Sequence, residues 1–174
     1  MTRLQSMDSG GVSDSVKASL ATLLLTSAHH AYGGLLYGTP WRLHVVGIAA
    51  VTAGVLLASQ RGLRVRRAER RGELAFAVLA LTTLAVPVGM IGAFEGLYNH
   101  VLKNVLYFGG APTALLSQLF PPPTYELPND FLFELSGVLQ AVPAGFALLA
   151  LVRGFRERWT SGPGRANRNV AEVP

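Results

Sequence analysis

Four long apolar runs, parted by short polar or Gly/Pro-rich interruptions, dominate the pattern of the chain. Each run approaches the roughly 20 residues that cross a hydrocarbon core about 30 Å thick at 1.5 Å per helical residue. The pattern predicts spans over residues 17–37, 41–60, 73–97 and 131–152. Between the first two, Gly38-Thr39-Pro40 supplies a turn, with Thr39 as N-cap and Pro40 in the first helical turn of the second span. The third span contains Pro87, which should kink it, and can run on as an interfacial helix to Phe108 before Gly109 and Gly110 end it. Residues 111–130 carry Pro112, Pro121, Pro122, Pro123 and Pro128, which exclude a long regular element and leave a loop or short re-entrant cap.

The expected fold is therefore an all-α membrane protein, a four-transmembrane-helix bundle with a Pro-rich outer loop between helices 3 and 4. Residues 1–16 read as a cytoplasmic tail, 17–152 as the membrane domain and 153–174 as a basic cytoplasmic tail. The first 16 residues lack the charged, apolar, small-residue order of a secretory signal.

Composition agrees, with half of the residues hydrophobic and only 14% charged. The net charge of +5 is concentrated rather than spread. Arg61, Arg64, Arg66, Arg67, Arg70 and Arg71 share one short loop, and five more arginines lie beyond residue 152. The other two connections hold only Arg42 and Lys103. By the positive-inside rule the Arg loop and both termini face the cytoplasm of a cell-membrane protein, and the charge serves topology and lipid contact rather than nucleic acid. Tyr37, Trp41, Tyr107 and Tyr125 then fall near the outer surface as an aromatic belt.

With no cysteine, thiolate metal sites, iron–sulfur clusters and Cys nucleophiles are excluded. The histidines instead draw attention. In the predicted topology His30, His44, Glu95 and Glu134 occupy one layer about 20–30 Å above the Arg-rich ends, with Asn99, His100 and Lys103 at or just above it. Each rides a stripe of small residues, the kind that lets membrane helices approach. His30 shares one with Ser27, Gly34 and Tyr37, and His44 with Gly47, Gly54 and Ala58. Glu95 and Asn99 align with Gly92, Gly96 and Lys103, and Glu134 with Gly137, Ala141 and Gly145. Neighbours in sequence, His29 and His30 should point to different helices or subunits.

Imidazole and carboxylate together suit zinc, iron, copper or manganese. His30, His44, Glu95, His100 and Glu134 are the candidate metal ligands. Glu95, Glu134, Asn99 and Lys103 are the candidate catalytic or substrate-facing groups, with Lys103 attracting an anionic head. Glu95 and His100 are five apart, not the three or four of stereotyped metal-binding helices. Haem b held by His30 and His100 ranks below an ion, because the nearby carboxylates and amide would then lack a purpose. The leading function is a metal-dependent enzyme acting on a lipophilic substrate, with membrane lipids around it and homo-oligomers open to it. A proton-coupled small-molecule transporter, a haem-binding subunit and a non-catalytic membrane subunit are the alternatives.

The topology is tested with single cysteines at Ser117 and Ser161. A membrane-impermeant maleimide on intact cells should label Ser117→Cys and spare Ser161→Cys; labelling of the second alone inverts the orientation.

Overall fold

The computed structural model describes residues 10–65, 70–122 and 124–160. These residues are all-helical and contain no strand. Five continuous helices follow one another: α1 (Gly10–Leu36), α2 (Pro40–Val65), α3 (Arg70–Phe108), the short α4 (Thr113–Leu119) and α5 (Phe131–Thr160). The expected tails outside residues 10–160, together with Arg66, Arg67 and Pro123, lie outside the described residues.

Helices α2, α3 and α5 are long and apolar enough to cross a membrane. Their outward residues include Val51, Leu81, Phe146 and Leu149, all exposed. Apolar surface of that extent belongs against lipid or another protein rather than water. Helix α1 is 27 residues long but differs in kind. Its buried face is polar and small: Ser15, Ser19, Thr22, Thr26, His29 and Gly33 recur at steps of four and three after Val12. Two of its hydroxyls are bonded, Thr22 Oγ1 back to Ala18 O and Ser15 Oγ across to Ala147 O on α5, both at 3.0 Å, while Ser19 and Thr26 have no hydrogen-bond partner.

Small residues set how closely the helices meet. A Cβ on Gly11 would collide with the backbone of Gly154, and one on Gly92 with the Cβ of Ala144. On Gly96 it would stand 3.0 Å from the backbone nitrogen of Ala141. So α1 lies almost backbone to backbone against the end of α5, and α3 against its first half. Arg158 pairs with Glu73 at 2.7 Å and Arg153 with Asp14 at 3.3 Å. Those pairs gather the start of α1, the start of α3 and the end of α5 at one end of the molecule; the 3₁₀ turn Pro40–Leu43, α4 and the loop before α5 lie at the other.

Helix α3 changes its winding around Pro87. From Leu84 to Leu102 it is wound as a π-helix. Proline has no N–H to give the carbonyl four residues back and its ring crowds that carbonyl, so a wider winding relieves both. Gly89 and Gly92 accept the change: a Cβ on either would lie within 3.3 Å of the carbonyl oxygen five residues earlier, Leu84 and Pro87 respectively.

Other differences concern boundaries and faces. Helix α1 begins at Gly10, inside the stretch expected to be tail, and α4 adds one short helix to the Pro-rich segment. Thr39 makes no cap bond to the backbone. Asp130, by contrast, caps α5 by accepting from Phe133 N at 2.8 Å. The stripe Gly47, Gly54 and Ala58 faces outward, with nothing within 4 Å of a Cβ on either glycine; the buried face of α2 is Ala49, Thr52, Leu56, Ser59 and Leu63. Gly145 is likewise open, whereas Gly137 and Ala141 do face α3.

Gly11→Leu should therefore lower stability by about 1–3 kcal/mol or more through overpacking, while Gly54→Leu should leave it near wild type. Thermal unfolding in detergent checks this; the reverse order would place the contact faces wrongly.

Candidate metal centre

The π winding decides what α3 presents. Residues five apart are hydrogen-bonded neighbours on a π-helix, whereas on an α-helix they diverge. Glu95 and His100 consequently share a face, with Nε2 of His100 3.6 Å from Oε1 of Glu95. Asn99, four residues on from Glu95, donates from Nδ2 to its other oxygen, Oε2, at 2.9 Å.

Helix α1 brings a second imidazole to the same oxygen. His29, the last polar side chain of the buried stripe, is 1% exposed and stands with Nε2 3.6 Å from Glu95 Oε1. His30 also reaches it, with Nε2 at 3.7 Å. Ligand atoms from His29, Glu95 and His100 all lie within 4.8 Å of one another.

Hydrogen bonds on the far side of each ring fix where its proton sits. Ser136 gives its single hydroxyl proton to Phe133 O at 3.0 Å, so at 2.9 Å it accepts from His29 Nδ1. His100 Nδ1 lies 2.8 Å from Glu134 Oε2, an acceptor. Lys103 donates to Glu134 Oε1 at 2.9 Å and to Glu126 O at 2.7 Å. With both Nδ1 protons committed, the neutral form of each ring points its Nε2 lone pair at the carboxylate of Glu95, and the imidazolium form points an N–H at it. His29 Nε2 makes no hydrogen bond. Phe133 holds the rings in place, stacked on His29 at 4.3 Å and edge-on to His100 at 5.3 Å. A Cβ on Gly137 would strike the His100 ring, so only glycine leaves room for it.

With neutral rings these are three electron-pair donors that a metal ion would reconcile; with a proton on Nε2 the same contacts are ion pairs. Ligands 2.0–2.1 Å from a tetrahedral ion are about 3.3–3.4 Å apart; the two His–Glu95 separations of 3.6 Å would contract by a few tenths, and the three donor atoms as a set lie within 4.8 Å. Every one of the three is also backed by an outer partner: Ser136, Glu134 and Asn99. That is the support that metal ligands ordinarily have.

Of the candidates read from the sequence, His30, Glu95 and His100 thus meet. Glu134 lies one bond outward as the partner of His100, and Asn99 supports Glu95. Lys103 is 2% exposed and bound to Glu134 and Glu126, not turned to a ligand. His44 stands apart from the three: it is exposed, its Nδ1 bonds to Trp41 O and its ring lies over Trp41. His29, Ser136 and Arg42 are the residues that sequence reasoning missed. His29 was legible in the three-four repeat from Val12 to Gly33.

A cavity of about 180 Å³ opens beside the cluster, lined among others by His30, Arg42, Glu95, Asn99, His100 and Tyr125. Burial, then the charge of Glu95, pushes the Tyr125 phenol up, so it faces the cavity as a proton-bearing donor. A larger groove of about 470 Å³ lies between the ends of α3 and α5, where Phe108, Phe131, Leu135 and Val138 lead to Glu134. Comparison with protein-family models, with curated proteins and with solved structures finds no match for the chain.

Proposed function

We propose that the chain is a multi-pass cell-membrane protein, with α1, α2, α3 and α5 as its four crossings and both termini cytoplasmic, and that it is a metal-dependent enzyme acting on a lipophilic substrate. His29, His100 and Glu95 hold the ion. Convergence of two Nε2 atoms on one carboxylate, each ring tied at Nδ1 to an outer partner, is the observation that carries this function. Two imidazoles and a carboxylate are a catalytic zinc set: three protein ligands, with the fourth position left for water or substrate. That position faces the cavity, where His30 stands with its Nδ1 unpaired and within reach as a general acid or base. A bound divalent ion lowers the pKa of its water toward neutrality and polarises substrate oxygens. The apolar groove beside Glu134 offers a lipophilic substrate a way in from the bilayer.

An ion fits better than haem. Glu95 Oε1 stands 3.6–3.7 Å from Nε2 of both His30 and His100, in the space where a porphyrin between them would lie. Proton-coupled transport finds less support, since Lys103, Glu134 and His100 already form a closed set of bonds.

Protein purified without chelator, or reconstituted with zinc, should carry stoichiometric metal by elemental analysis. His29→Ala, Glu95→Ala and His100→Ala should each lose it, Ser136→Ala should weaken binding about tenfold, and His44→Ala should retain it. Thermal unfolding confirms that the variants remain folded. Absence of metal after reconstitution with zinc, iron, copper and manganese would overturn the proposed function.

A further inference from the structure

Arg42 takes no part in the metal set, yet it is among the most buried charges of the molecule, at 5% exposed. It sits on the 3₁₀ turn that opens α2. Its guanidinium carbon lies 5.5, 5.2 and 5.6 Å from the ring centroids of Tyr37, Trp41 and Phe133. Nε donates to Thr39 Oγ1 at 2.9 Å. Thr39, expected to cap a helix, thus orients this side chain instead. Nη2 makes no hydrogen bond. The nearest carboxylate oxygen, Glu126 Oε1, is 4.0 Å away, beyond hydrogen-bond reach.

Packing explains where the guanidinium is held but not why one end is left unpaired. An unmade hydrogen bond to a buried charged donor is destabilising unless something supplies the acceptor. Arg42 lines the cavity that also holds Glu95 and His100, so its open end and the metal ligands share one space. Asn99, on the same wall, has its Oδ1 unpaired. The cavity therefore presents a cationic fork and a lone acceptor.

We propose that Arg42 is an oxyanion subsite for a phosphate monoester group of the substrate, seated in this cavity beside the metal ligands. The proposal deepens the metal-dependent function and rests on it. A planar guanidinium matches phosphate oxygens two at a time. Asn99 Oδ1 accepts only from a donor. A singly protonated phosphate brings one P–OH, which a carboxylate does not. At about 30 Å³ per water, the cavity of about 180 Å³ has the room of roughly six waters. That accommodates a phosphate group but not an acyl chain, which stays outside in the lipid.

Charge gives the order of binding. Around the cavity Glu95, Glu126 and Glu134 face Arg42 and Lys103, so the site is one charge negative with neutral histidines. A divalent ion makes it one charge positive. Phosphate binding accordingly tightens with metal loading.

The test titrates the zinc-loaded full chain in detergent with inorganic phosphate, dioctanoyl phosphatidate and, as a carboxylate control, octanoate, reading affinity by calorimetry. Either phosphate compound should bind and octanoate should not. Phosphatidate alone marks a lipid headgroup as the source; inorganic phosphate alone marks the free ion. Arg42→Lys keeps the charge but loses the fork and should weaken binding at least about tenfold, with zinc content and melting temperature unchanged. Emission of Trp41 in a Trp159→Phe background, where Arg42 is intact, should change on phosphate addition. Wild-type affinity in Arg42→Lys, equal binding of octanoate, or no binding of either phosphate compound to zinc-loaded protein overturns the subsite. A wild-type chain that takes up no zinc sinks the metal function separately. The same titration then decides the subsite on the zinc-free protein, where Arg42-dependent binding retains it and its absence removes it.

Discussion

A carboxylate set among packed helices needs positive partners, and Glu95 meets the Nε2 atoms of His29, His30 and His100 and the amide of Asn99. Such a group is strongly unfavourable when bare, because burying charge without compensation is one of the largest penalties in folding. Much of the molecule is arranged around that constraint. Ser136 and Glu134 hold the His29 and His100 protons away from the centre, Asn99 fixes the carboxylate, and Lys103 neutralises Glu134. With a metal ion at the centre these supports would become the outer partners of its ligands.

Bringing the donors together depends on two packing features. The π winding of α3 around Pro87 puts Glu95 and His100 on one face, and close contacts at Gly92 with Ala144, Gly96 with Ala141 and Gly137 with the His100 ring bring α5 near enough for Ser136 and Glu134 to reach the rings. Gly11 against Gly154 seats α1 along α5, so its polar stripe runs up the interior and ends at His29. The chemistry of the site and the closeness of the helices are thus two results of the same small residues.

The helical class, the apolar helices and the break at Gly109-Gly110 were legible because length, hydropathy and glycine conformation act locally; Gly110 indeed has φ of +79°. Faces were harder to read. Gly47, Gly54 and Gly145 turn outward, so small residues alone do not mark an inner face. The five-residue step from Glu95 to His100 counted against a metal pair only while an α-helix was assumed. Arg42 read as a topology charge, since Tyr37 and Trp41 are its neighbours in sequence but nothing local shows that Phe133 of α5 closes over it.

X-ray absorption at the zinc edge of the loaded protein tests the central claim most directly. Two imidazole nitrogens and one carboxylate oxygen should appear at about 2.0–2.1 Å, with the outer-ring scattering that identifies histidine. A shell of oxygen atoms alone, with no imidazole signature, would contradict the assignment of His29 and His100 as ligands.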